Sequence, residues 1–218
     1  MNEINLRYAD NNDIDFVVHA IVESLKSGTD TVVYCKLFDL SIDEFKSLAK
    51  NMLLEDIEGH DFHLGSFLIA EVNGKPAGTC IAWVEHSVGF PSSLVRANLL
   101  LDFIDKDIII NLHDRFNLMQ QTHLERQKNC LQIEFVYVDS NYRGRGIAPL
   151  IIEGHIERLK KRFPSITKAQ VIASKTNDNA LKAYQKIGFK TVIEKTITNE
   201  EAIALIPAST IVLMEREI

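Results

Sequence analysis

The sequence lacks the features of a secreted or membrane-bound protein. Its 218 residues include three cysteines, Cys35, Cys80 and Cys130, and an odd number of isolated cysteines argues against a disulfide framework. We interpret them as buried free thiols of a cytoplasmic protein. The N-terminal region carries no apolar signal segment, and no apolar run approaches the roughly 20 residues that cross a bilayer. Membrane association is therefore not expected.

An excess of basic residues is also missing. The formal net charge is −6, whereas nucleic-acid-binding domains carry clustered positive charge. Nucleic acid is therefore not an expected partner. Mild acidity is compatible with a cationic substrate, because acidic clefts attract amines.

The spacing of a zinc site is absent as well. His60-Asp61-Phe62-His63 carries candidate ligands, but no cysteine or further histidine follows at a known zinc spacing. We therefore expect residues 56–65 to form a polar surface loop and expect no metal site. No internal repeat, low-complexity tract or long linker is visible, and the length suits one domain spanning residues 1–218.

The sequence does contain a basic glycine turn, Arg143-Gly144-Arg145-Gly146-Ile147-Ala148, directly after the apolar run Phe135 to Val138. A helical pattern over Pro149 to Leu159 follows the turn. Such a junction directs free backbone N–H groups and the positive end of a helix dipole at one spot, which favours a phosphate or pyrophosphate. The turn follows neither G-x-x-x-x-G-K-S/T nor G-x-G-x-x-G, the two common nucleotide motifs.

A second block, Asn177 to Phe189, has the pattern of a capped amphipathic helix. Asn177 is a good N-cap, and Gly188 suits the left-handed position that ends a helix. Between them, apolar side chains recur at helical spacing. They are Ala180, Ala183, Tyr184 and Ile187.

Together the two blocks resemble the GNAT N-acetyltransferase superfamily. The first fits its Gln/Arg-x-x-Gly-x-Gly/Ala turn, and the second fits its N-x-x-A-x-x-x-Y-x-x-x-G-F block. The resemblance implies an α/β (α+β) fold, with a mixed, mostly antiparallel central sheet flanked by helices. It also implies acetyl-CoA as the acyl donor and a primary amine, most simply of a small molecule, as the acceptor.

The N-terminal half agrees with the strand, helix, helix and hairpin order of that family. Ile4 to Asp10 alternates like a strand, and Asp13 to Leu25 has the pattern of an amphipathic helix. Ser41 and Glu44 form a capping box for a helix that ends near Leu54. Phe67 to Val84 reads as a hairpin with a type I′ turn at Asn73-Gly74.

The segment of residues 86–129 departs from the family, in which a short turn joins the hairpin to the central strand. We predict two helices in this insertion, Ser92 to Phe103 and Lys106 to Arg126. Its expected roles are an acceptor pocket, a homodimer contact or plain scaffold. Apolar residues that allow packing onto the domain are Leu94, Leu99, Leu101 and Phe103 in the first helix, and Ile109, Leu112, Phe116 and Met119 in the second.

The resemblance also assigns the donor site. The backbone of Val136 and Val138 would pair with pantetheine, and Asn177 would bond the same arm or cap its helix. The pyrophosphate would lie on the N–H groups of Arg143, Gly144, Arg145, Gly146, Ile147 and Ala148. The alternative makes the two arginines solvated surface charges, since arginine is usually exposed.

Transfer requires a neutral amine and an acid for the departing thiolate. Tyr184 matches the family's acid, because a phenol stays protonated at neutral pH; its alternative is a half-buried packing residue. Glu134, within an apolar strand, is the candidate base, and its alternative is a glutamate at a solvated strand end. Glu85 and His86 are the next candidates, and His155 fits a structural histidine better.

Three functions remain open from the sequence. The first is an N-acetyltransferase that acts on a small amine, by direct attack on the thioester. The second is a protein acetyltransferase acting on a lysine or an N-terminal amine, which predicts an open groove. The third is an acyl-CoA-binding sensor without turnover.

Overall fold

A mixed sheet forms the centre of the computed structural model, which describes residues 4–105, 108 and 112–218. Within these residues the strand order is β1-β2-β3-β4-β5-β7-β6. All neighbouring pairs are antiparallel except β4 and β5. The mixed, mostly antiparallel sheet is therefore confirmed. The strands are β1 (Ile4–Tyr8), β2 (Phe67–Val72), β3 (Lys75–Val84), β4 (Leu131–Val138), β5 (Lys168–Ser174), β6 (Lys190–Thr196) and β7 (Thr210–Glu217).

Helices cover both faces of the sheet and enclose two apolar clusters. On one face α1 packs against β4 and α3, and on the other α6 packs against β2, β3 and β4. This arrangement buries both faces of the central strands. The helices are α1 (Ile14–Lys26), α2 (Val33–Phe38), α3 (Ile42–Leu54), α4 (Ser92–Phe103), α5 (His113–Thr122), α6 (Ile147–Arg162), α7 (Asp178–Lys186) and α8 (Glu200–Ile203).

Short-range signals in the sequence set several of these boundaries. Asn73 and Gly74 both have positive φ, 52° and 74°, as the predicted type I′ turn requires. Ser41 Oγ accepts the backbone N–H of Glu44, whose carboxylate accepts the N–H of Ser41, so the capping box at the start of α3 is confirmed. The first strand ends at Tyr8, two residues earlier than predicted, because a 3-10 turn over Asn11–Asp13 precedes α1.

The insertion contains the first predicted helix, α4, with its predicted bounds. The second prediction began at Lys106 and included Ile109, and both lie outside the described residues. The predicted C-terminal end of this second helix, Arg126, was wrong. The helix α5 ends at Thr122, because the backbone of His123 is extended. The four residues up to Arg126 then run back to β4.

Only part of the predicted apolar packing of the insertion is present. Leu99 and Leu112 are buried. By contrast, Leu94 and Leu101 are 46% and 52% exposed, because they lie on the side of α4 away from Leu99. The prediction that these two residues pack onto the domain was therefore wrong. The ring of Phe116, half-exposed, contacts Phe38 of α2 at 6.1 Å between centroids.

The segment of residues 56–65 is largely irregular, as predicted, and residues 56–58 and 65 are exposed, but the predicted surface position was wrong for residues 59–64. His60, Asp61, Phe62 and His63 are all buried. Phe62 is drawn inward because its ring packs edge-on against Tyr34 and Phe135. Its backbone N–H donates to His60 Nδ1 at 3.0 Å, whereas the buried His60 Nε2 and Asp61 Oδ1 have no hydrogen-bond partner among the described residues. Within the described residues, no group of three or more acidic, histidine or cysteine side chains is placed to hold a metal ion.

The three cysteines are free thiols, and Cys80 and Cys130 are buried as expected; the expected burial of Cys35 was wrong, because that residue is partly exposed on the short helix α2. In the part of the chain that the structure describes, no helix combines the length and apolar character needed to cross a membrane.

Candidate functional site

The two parallel strands at the centre of the sheet separate along their length. β4 pairs with β5 only from Leu131–Ala169 to Ile133–Val171, although both strands are described throughout. Beyond that point β5 stays paired with β7 up to Ser174. The second half of β4, from Glu134 onward, therefore borders a wedge in which its backbone groups on that side have no strand partner. Val136 and Val138 lie in this half, as the expected pantetheine site requires.

A β-bulge at Phe135 marks the start of the wedge. Between the pairs Ile81–Glu134 and Thr79–Tyr137, two residues of β4 oppose Cys80 alone. Phe135 has φ 51°, a left-handed conformation that is strained for an aromatic residue. Its ring is held by Phe62 at 5.5 Å and by Phe67 at 6.5 Å between centroids. Packing thus fixes the bulge that turns β4 away from β5.

The basic turn follows β4 directly. Asp139 caps a short 3-10 turn, Ser140–Tyr142, by accepting the N–H of Asn141 at 2.9 Å. The chain then passes through Gly144 and Gly146, with φ of 76° and 77°, and Gly146 is the N-cap of the 16-residue α6. Two left-handed residues in this turn need glycine, and they point the first N–H groups of α6 outward.

The two arginines of this turn are exposed but ordered by bonds to its backbone. Arg143 Nε donates to the carbonyl of Val138 at 3.1 Å, and Arg145 donates to the carbonyl of Asn141 at 3.1 Å. The guanidinium of Arg145 also lies over the ring of Tyr142, 5.4 Å from its centroid, within the range of a cation–π contact. Arg143 and Arg145 therefore stabilise the turn, and their charged groups face solvent.

The turn fits a phosphate group. A Cβ built on Gly144 or Gly146 would meet no heavy atom within 4 Å, so the space over both residues is open. Ile147 is buried and anchors the helix, while Ala148 is partly exposed beside the turn. Open space, free N–H groups and the dipole of a long helix coincide here, which is the arrangement that binds phosphates.

The second block of the sequence lies across the wedge. Asn177 Oδ1 accepts the N–H of Ala180 at 3.2 Å, which confirms the predicted N-cap of α7. Its Nδ2 donates to Ser27 Oγ at 3.2 Å. Ser27 ends α1 on the other face of the sheet, so Asn177 links the two sides of the wedge. Gly188 ends α7 with φ 91°, also as predicted.

Tyr184 is buried on the inner side of α7, in the apolar cluster that also contacts Val136 and Val138. Its ring is tilted against Phe189 at 6.1 Å between centroids. Burial raises its pKa above the usual range, and Cys80 and Glu134 raise it further. The phenol therefore lies near the bulge and stays protonated at neutral pH.

Glu134 lies in the middle of β4, so its alternative placement at a solvated strand end was wrong. Its side chain is 20% exposed and forms an ion pair with Arg126. Burial raises the pKa of Glu134, and the guanidinium of Arg126 opposes that rise. Arg126 is itself fixed, because it donates to Gln132 Oε1 at 3.0 Å and lies over the Trp83 ring at 5.1 Å.

A second buried ion pair lies near Glu134, and sequence reasoning missed it. Asp61 Oδ2 accepts a 2.6 Å hydrogen bond from Arg96 of α4. Burial raises the pKa of Tyr34, and the charges of Asp61 and Glu134 both add to that rise, so the three groups are neighbours. Both arginines of these pairs come from the insertion. A buried acidic loop residue paired with a distant arginine leaves no local pattern that could have revealed it.

The next two candidate bases are placed differently. Glu85 is buried, and both of its oxygens are occupied: Oε2 accepts from Trp83 Nε1 of β3 at 3.0 Å, and Oε1 accepts from the N–H of Ser92 at the start of α4 at 2.8 Å. His86 has φ 65° in the turn after β3. His155 is buried and bonded to a backbone carbonyl, which confirms it as a structural histidine.

Comparisons with known proteins agree with this geometry. A model of the acetyltransferase (GNAT) family matches residues 35–189. No curated protein sequence matches the chain. An N-acetyltransferase from Staphylococcus aureus Mu50 superposes with a TM-score of 0.68 at 16% identity, covering 97% of this chain and 100% of the other.

Two further solved structures share the fold at lower scores. The ribosomal-protein-S18-alanine N-acetyltransferase of Escherichia coli has a TM-score of 0.53 at 13% identity, with 99% and 94% of the two chains covered. The aminoglycoside acetyltransferase AAC(6')-Ib in complex with coenzyme A also has a TM-score of 0.53, at 16% identity, with 99% and 95% covered. At these identities the likeness concerns the fold and leaves the acceptor open.

Proposed function

Because the chain belongs to the acetyltransferase (GNAT) family, we propose that it transfers the acetyl group of acetyl-CoA to a primary amine of a small molecule. Acetyl-CoA is the acyl donor of this family and supplies an acetyl thioester for the amine to attack. We propose further that residues 1–218 act as one catalytic domain, since a single sheet contains strands from Ile4–Tyr8 to Thr210–Glu217.

The observation that supports a small acceptor is the position of the insertion. Its helix α4 packs on α3, and α5 contacts α8 in the connection between β6 and β7. Arg115 of α5 bonds Asp39 and the carbonyls of Lys36 and Leu37 at the end of α2. Helices thus cover the face of the sheet on which Glu134 pairs with Arg126. A sheet face covered by helices suits a small molecule better than a protein chain, which needs an open groove.

The donor would be held by two parts of the chain. The N–H groups from Arg143 to Ala148 would bind the pyrophosphate, with charge from Arg143 and Arg145. The unpaired backbone of Val136 and Val138 would bind the pantetheine arm, and Asn177 would bond the same arm from across the wedge. These assignments rest on the separation of β4 from β5 and on the open space over Gly144 and Gly146.

Glu134 is proposed to take the proton of the attacking amine. An alkylammonium with a pKa of about 10.4 is neutral in only about one part in a thousand at pH 7, which adds roughly 4 kcal/mol to the barrier. A carboxylate beside the amine lowers that cost by accepting the proton, directly or through water. Glu134 is suited to this because burial raises its pKa above that of an ordinary carboxyl group, which makes it a stronger base, while the guanidinium of Arg126 opposes that rise.

Tyr184 is proposed to protonate the departing thiolate. Its phenol stays protonated, and it lies on α7 at the wedge, on the opposite side from Glu134 and the insertion. Separate groups for accepting and donating the proton remove the need for a triad or a nucleophilic side chain. Direct attack then relies on orientation of the two substrates, which is worth up to about 7–11 kcal/mol.

Calorimetry with acetyl-CoA, followed by thiol release against panels of small amines and of peptides, tests this function. Binding together with release for small amines is the expected result. Release with peptides alone would replace the small acceptor by a protein. Binding without release in either panel would favour a sensor, and absence of binding would overturn the donor site.

A further inference from the structure

The helix α4 of the insertion is apolar on two opposite sides. On its inner side Leu99, Leu100 and Phe103 pack on the apolar cluster to which α1 and α3 contribute. On its outer side Leu94 and Leu101 are 46% and 52% exposed. A helix with apolar side chains all round is normally covered all round. The outer side of α4 therefore has the composition of an interface.

The exposed apolar residues of α4 form a stripe, which consists of Leu94, Ala97 and Leu101. Their spacing of three and then four positions puts them on one line along the helix, as in the seam between two packed helices. Ala97 is also exposed, and its small side chain lets a second helix approach closely. Just before α4, Val88 and Phe90 add apolar surface, being 42% and 59% exposed. The stripe therefore suits another helix.

The stripe is complementary to itself when two copies meet in antiparallel orientation. A point midway between Ala97 and Asn98 is equally far along the helix from Leu94 and from Leu101. A two-fold rotation about an axis through that point places Leu94 against Leu101 of a second copy, and the two Ala97 residues near each other. The leucines of both copies then lie on either side of the small central residues and fill the space beside them.

The ends of α4 also favour an antiparallel copy. The N-cap residue, Pro91, provides no side-chain bond, and α4 has no acidic residue in its first turn and no basic residue in its last turn. Glu85 binds the N–H of Ser92 from the buried side. Asp102 is exposed in the last turn, where its charge opposes the negative end of the helix dipole. In an antiparallel pair, Asp102 lies beside the positive end of the other helix, and symmetry repeats this contact.

A lipid surface fits the outer side of α4 less well than a second copy. Helices that lie on anionic membranes carry lysine and arginine around their apolar side. The polar neighbours of the stripe are Ser93, Asn98 and Asp102. The single basic residue of α4, Arg96, is paired with the buried Asp61. The charge around the stripe therefore disfavours an anionic bilayer.

We propose that α4 forms the interface of a homodimer, in which the stripe of one copy packs antiparallel on the stripe of a second copy. A single pair of short helices buries less than the about 800 Å² per partner that is standard for stable complexes. The expected dissociation constant is therefore micromolar rather than nanomolar. Dimerisation through α4 is independent of the proposed function, because the stripe contains none of the residues proposed for donor binding or catalysis.

Sedimentation velocity of the full-length protein at concentrations from about 1 to 300 µM tests the dimer. The expected result is a shift from monomer toward dimer across this range. Leu101→Gln is expected to raise the dissociation constant about 30-fold or more, because each dimer buries this side chain twice. Leu54→Gln is the matched control, since Leu54 is 53% exposed at the end of α3. A monomer at every concentration, or a dimer that Leu101→Gln leaves intact, would overturn the proposal.

Cysteine cross-linking tests the antiparallel orientation. Leu94→Cys in one copy and Leu101→Cys in a differently tagged copy place two thiols face to face, so the mixture is expected to form a disulfide in oxidised glutathione. Neither variant alone should do so, because equivalent residues lie about 10 Å apart along the helix axis, too far for a disulfide. Wild-type protein gives the background from the partly exposed Cys35. Disulfides within each variant but none between the two would show parallel helices and refute the proposed packing.

Asp102→Asn tests the charge complementarity of the helix ends. Loss of two symmetric contacts between a carboxylate and a helix N-terminus is expected to weaken the dimer about 3- to 30-fold. Asp30→Asn, in the exposed loop after α1, should leave the dissociation constant unchanged. The same dissociation constant in Asp102→Asn and the wild type would contradict the antiparallel pairing.

Two controls address folding and the choice of partner. If Leu101→Gln does not fold, as judged by thermal unfolding, Leu94→Gln replaces it in the sedimentation experiment with the same expected result. Flotation with phosphatidylserine vesicles is expected to show no binding by the wild type. Vesicle binding that Leu101→Gln abolishes would assign the stripe to a lipid surface and overturn the homodimer. Neither measurement uses acetyl-CoA or an amine, so failure of the dimer and failure of the proposed function are distinguishable.

Discussion

His155 Nε2 donates a hydrogen bond of 2.9 Å to the backbone carbonyl of Cys80. Cys80 is the residue of β3 that faces the two-residue bulge of β4, where the regular ladder is interrupted. A side chain of α6 thus satisfies a carbonyl at the point where β4 turns away from β5. The donor turn and the wedge are linked through this contact, because α6 begins at the basic turn and carries His155 in its middle.

Replacement of His155 by glutamine is expected to remove part of the pH dependence of stability. Burial lowers the pKa of His155 to about 4 from its ordinary value of 6.5. Above pH 6.5 the native and unfolded states are both neutral; as the pH falls toward 4, the unfolded state gains a proton that the native state does not, and stability is lost. The loss reaches about 3 kcal/mol. Urea unfolding of His155→Gln across this range should show a flatter curve.

His113→Gln is the control for this measurement, since His113 is exposed on α5. Its unfolding curve should parallel the wild type at every pH. The same slope in His155→Gln and the wild type would mean that other groups, such as the buried His60, account for the loss at low pH.

Local chemistry explains which parts of the fold were predictable. The type I′ turn at Asn73-Gly74, the capping box of Ser41 and the cap at Asn177 involve residues within three positions of each other. Each is fixed by backbone geometry that few residue types permit. The basic turn belongs to the same class, because its two left-handed positions require glycine.

The surroundings of Glu134 were not predictable, because long-range packing creates them. Nothing in the sequence near Phe135 marks a left-handed residue; the rings of Phe62 and Phe67 hold it there. Likewise the buried Asp61 is neutralised by Arg96, which is 35 positions away in the sequence. Polar residues such as His60 and Asp61 predict a surface loop unless the insertion that covers them is known.

Gly146→Ala is expected to weaken acetyl-CoA binding by about tenfold or more. The added methyl group would occupy the open space over the turn, and the left-handed φ of 77° adds about 1 kcal/mol of backbone strain. Gly74→Ala is a matched control: its φ is 74°, a Cβ there also meets nothing within 4 Å, and it lies in the β2–β3 turn. Calorimetry on both variants separates strain from occlusion, and equal affinities would place the phosphate elsewhere.

Tyr184→Phe is expected to lower kcat by about 100-fold or more, the usual effect of removing a general acid, with the affinity for acetyl-CoA unchanged. The ring and its contact with Phe189 remain, so unfolding temperatures should differ little. Steady-state kinetics with a reactive amine give kcat, and calorimetry gives the affinity. Tyr142→Phe, at the edge of the basic turn, is a control that should keep its rate. Wild-type turnover in Tyr184→Phe would remove the phenol from the mechanism.

Arg126→Gln is expected to shift the acidic limb of the kcat–pH profile to higher pH. Burial raises the pKa of Glu134 and Arg126 counteracts it, so loss of the guanidinium leaves the carboxyl with a still higher pKa. If Glu134 acts as a base only when ionised, activity then begins to fall at a higher pH than in the wild type, while the plateau at alkaline pH is retained. Arg115→Gln, in the same insertion but paired with Asp39 at 2.7 Å, should leave the limb in place.

Glu134→Gln tests whether the Glu134 carboxylate is the group that titrates, because it removes the ionisable group while preserving the shape of the side chain. It should lower kcat by about 100-fold or more and abolish the acidic limb, and the double variant with Arg126→Gln should behave like Glu134→Gln alone. Such non-additivity is expected when two residues act through one carboxylate. An acidic limb that persists unchanged in Glu134→Gln would instead report the ionisation of the acceptor amine itself, and Glu134 would then be an anchor for Arg126 and the insertion.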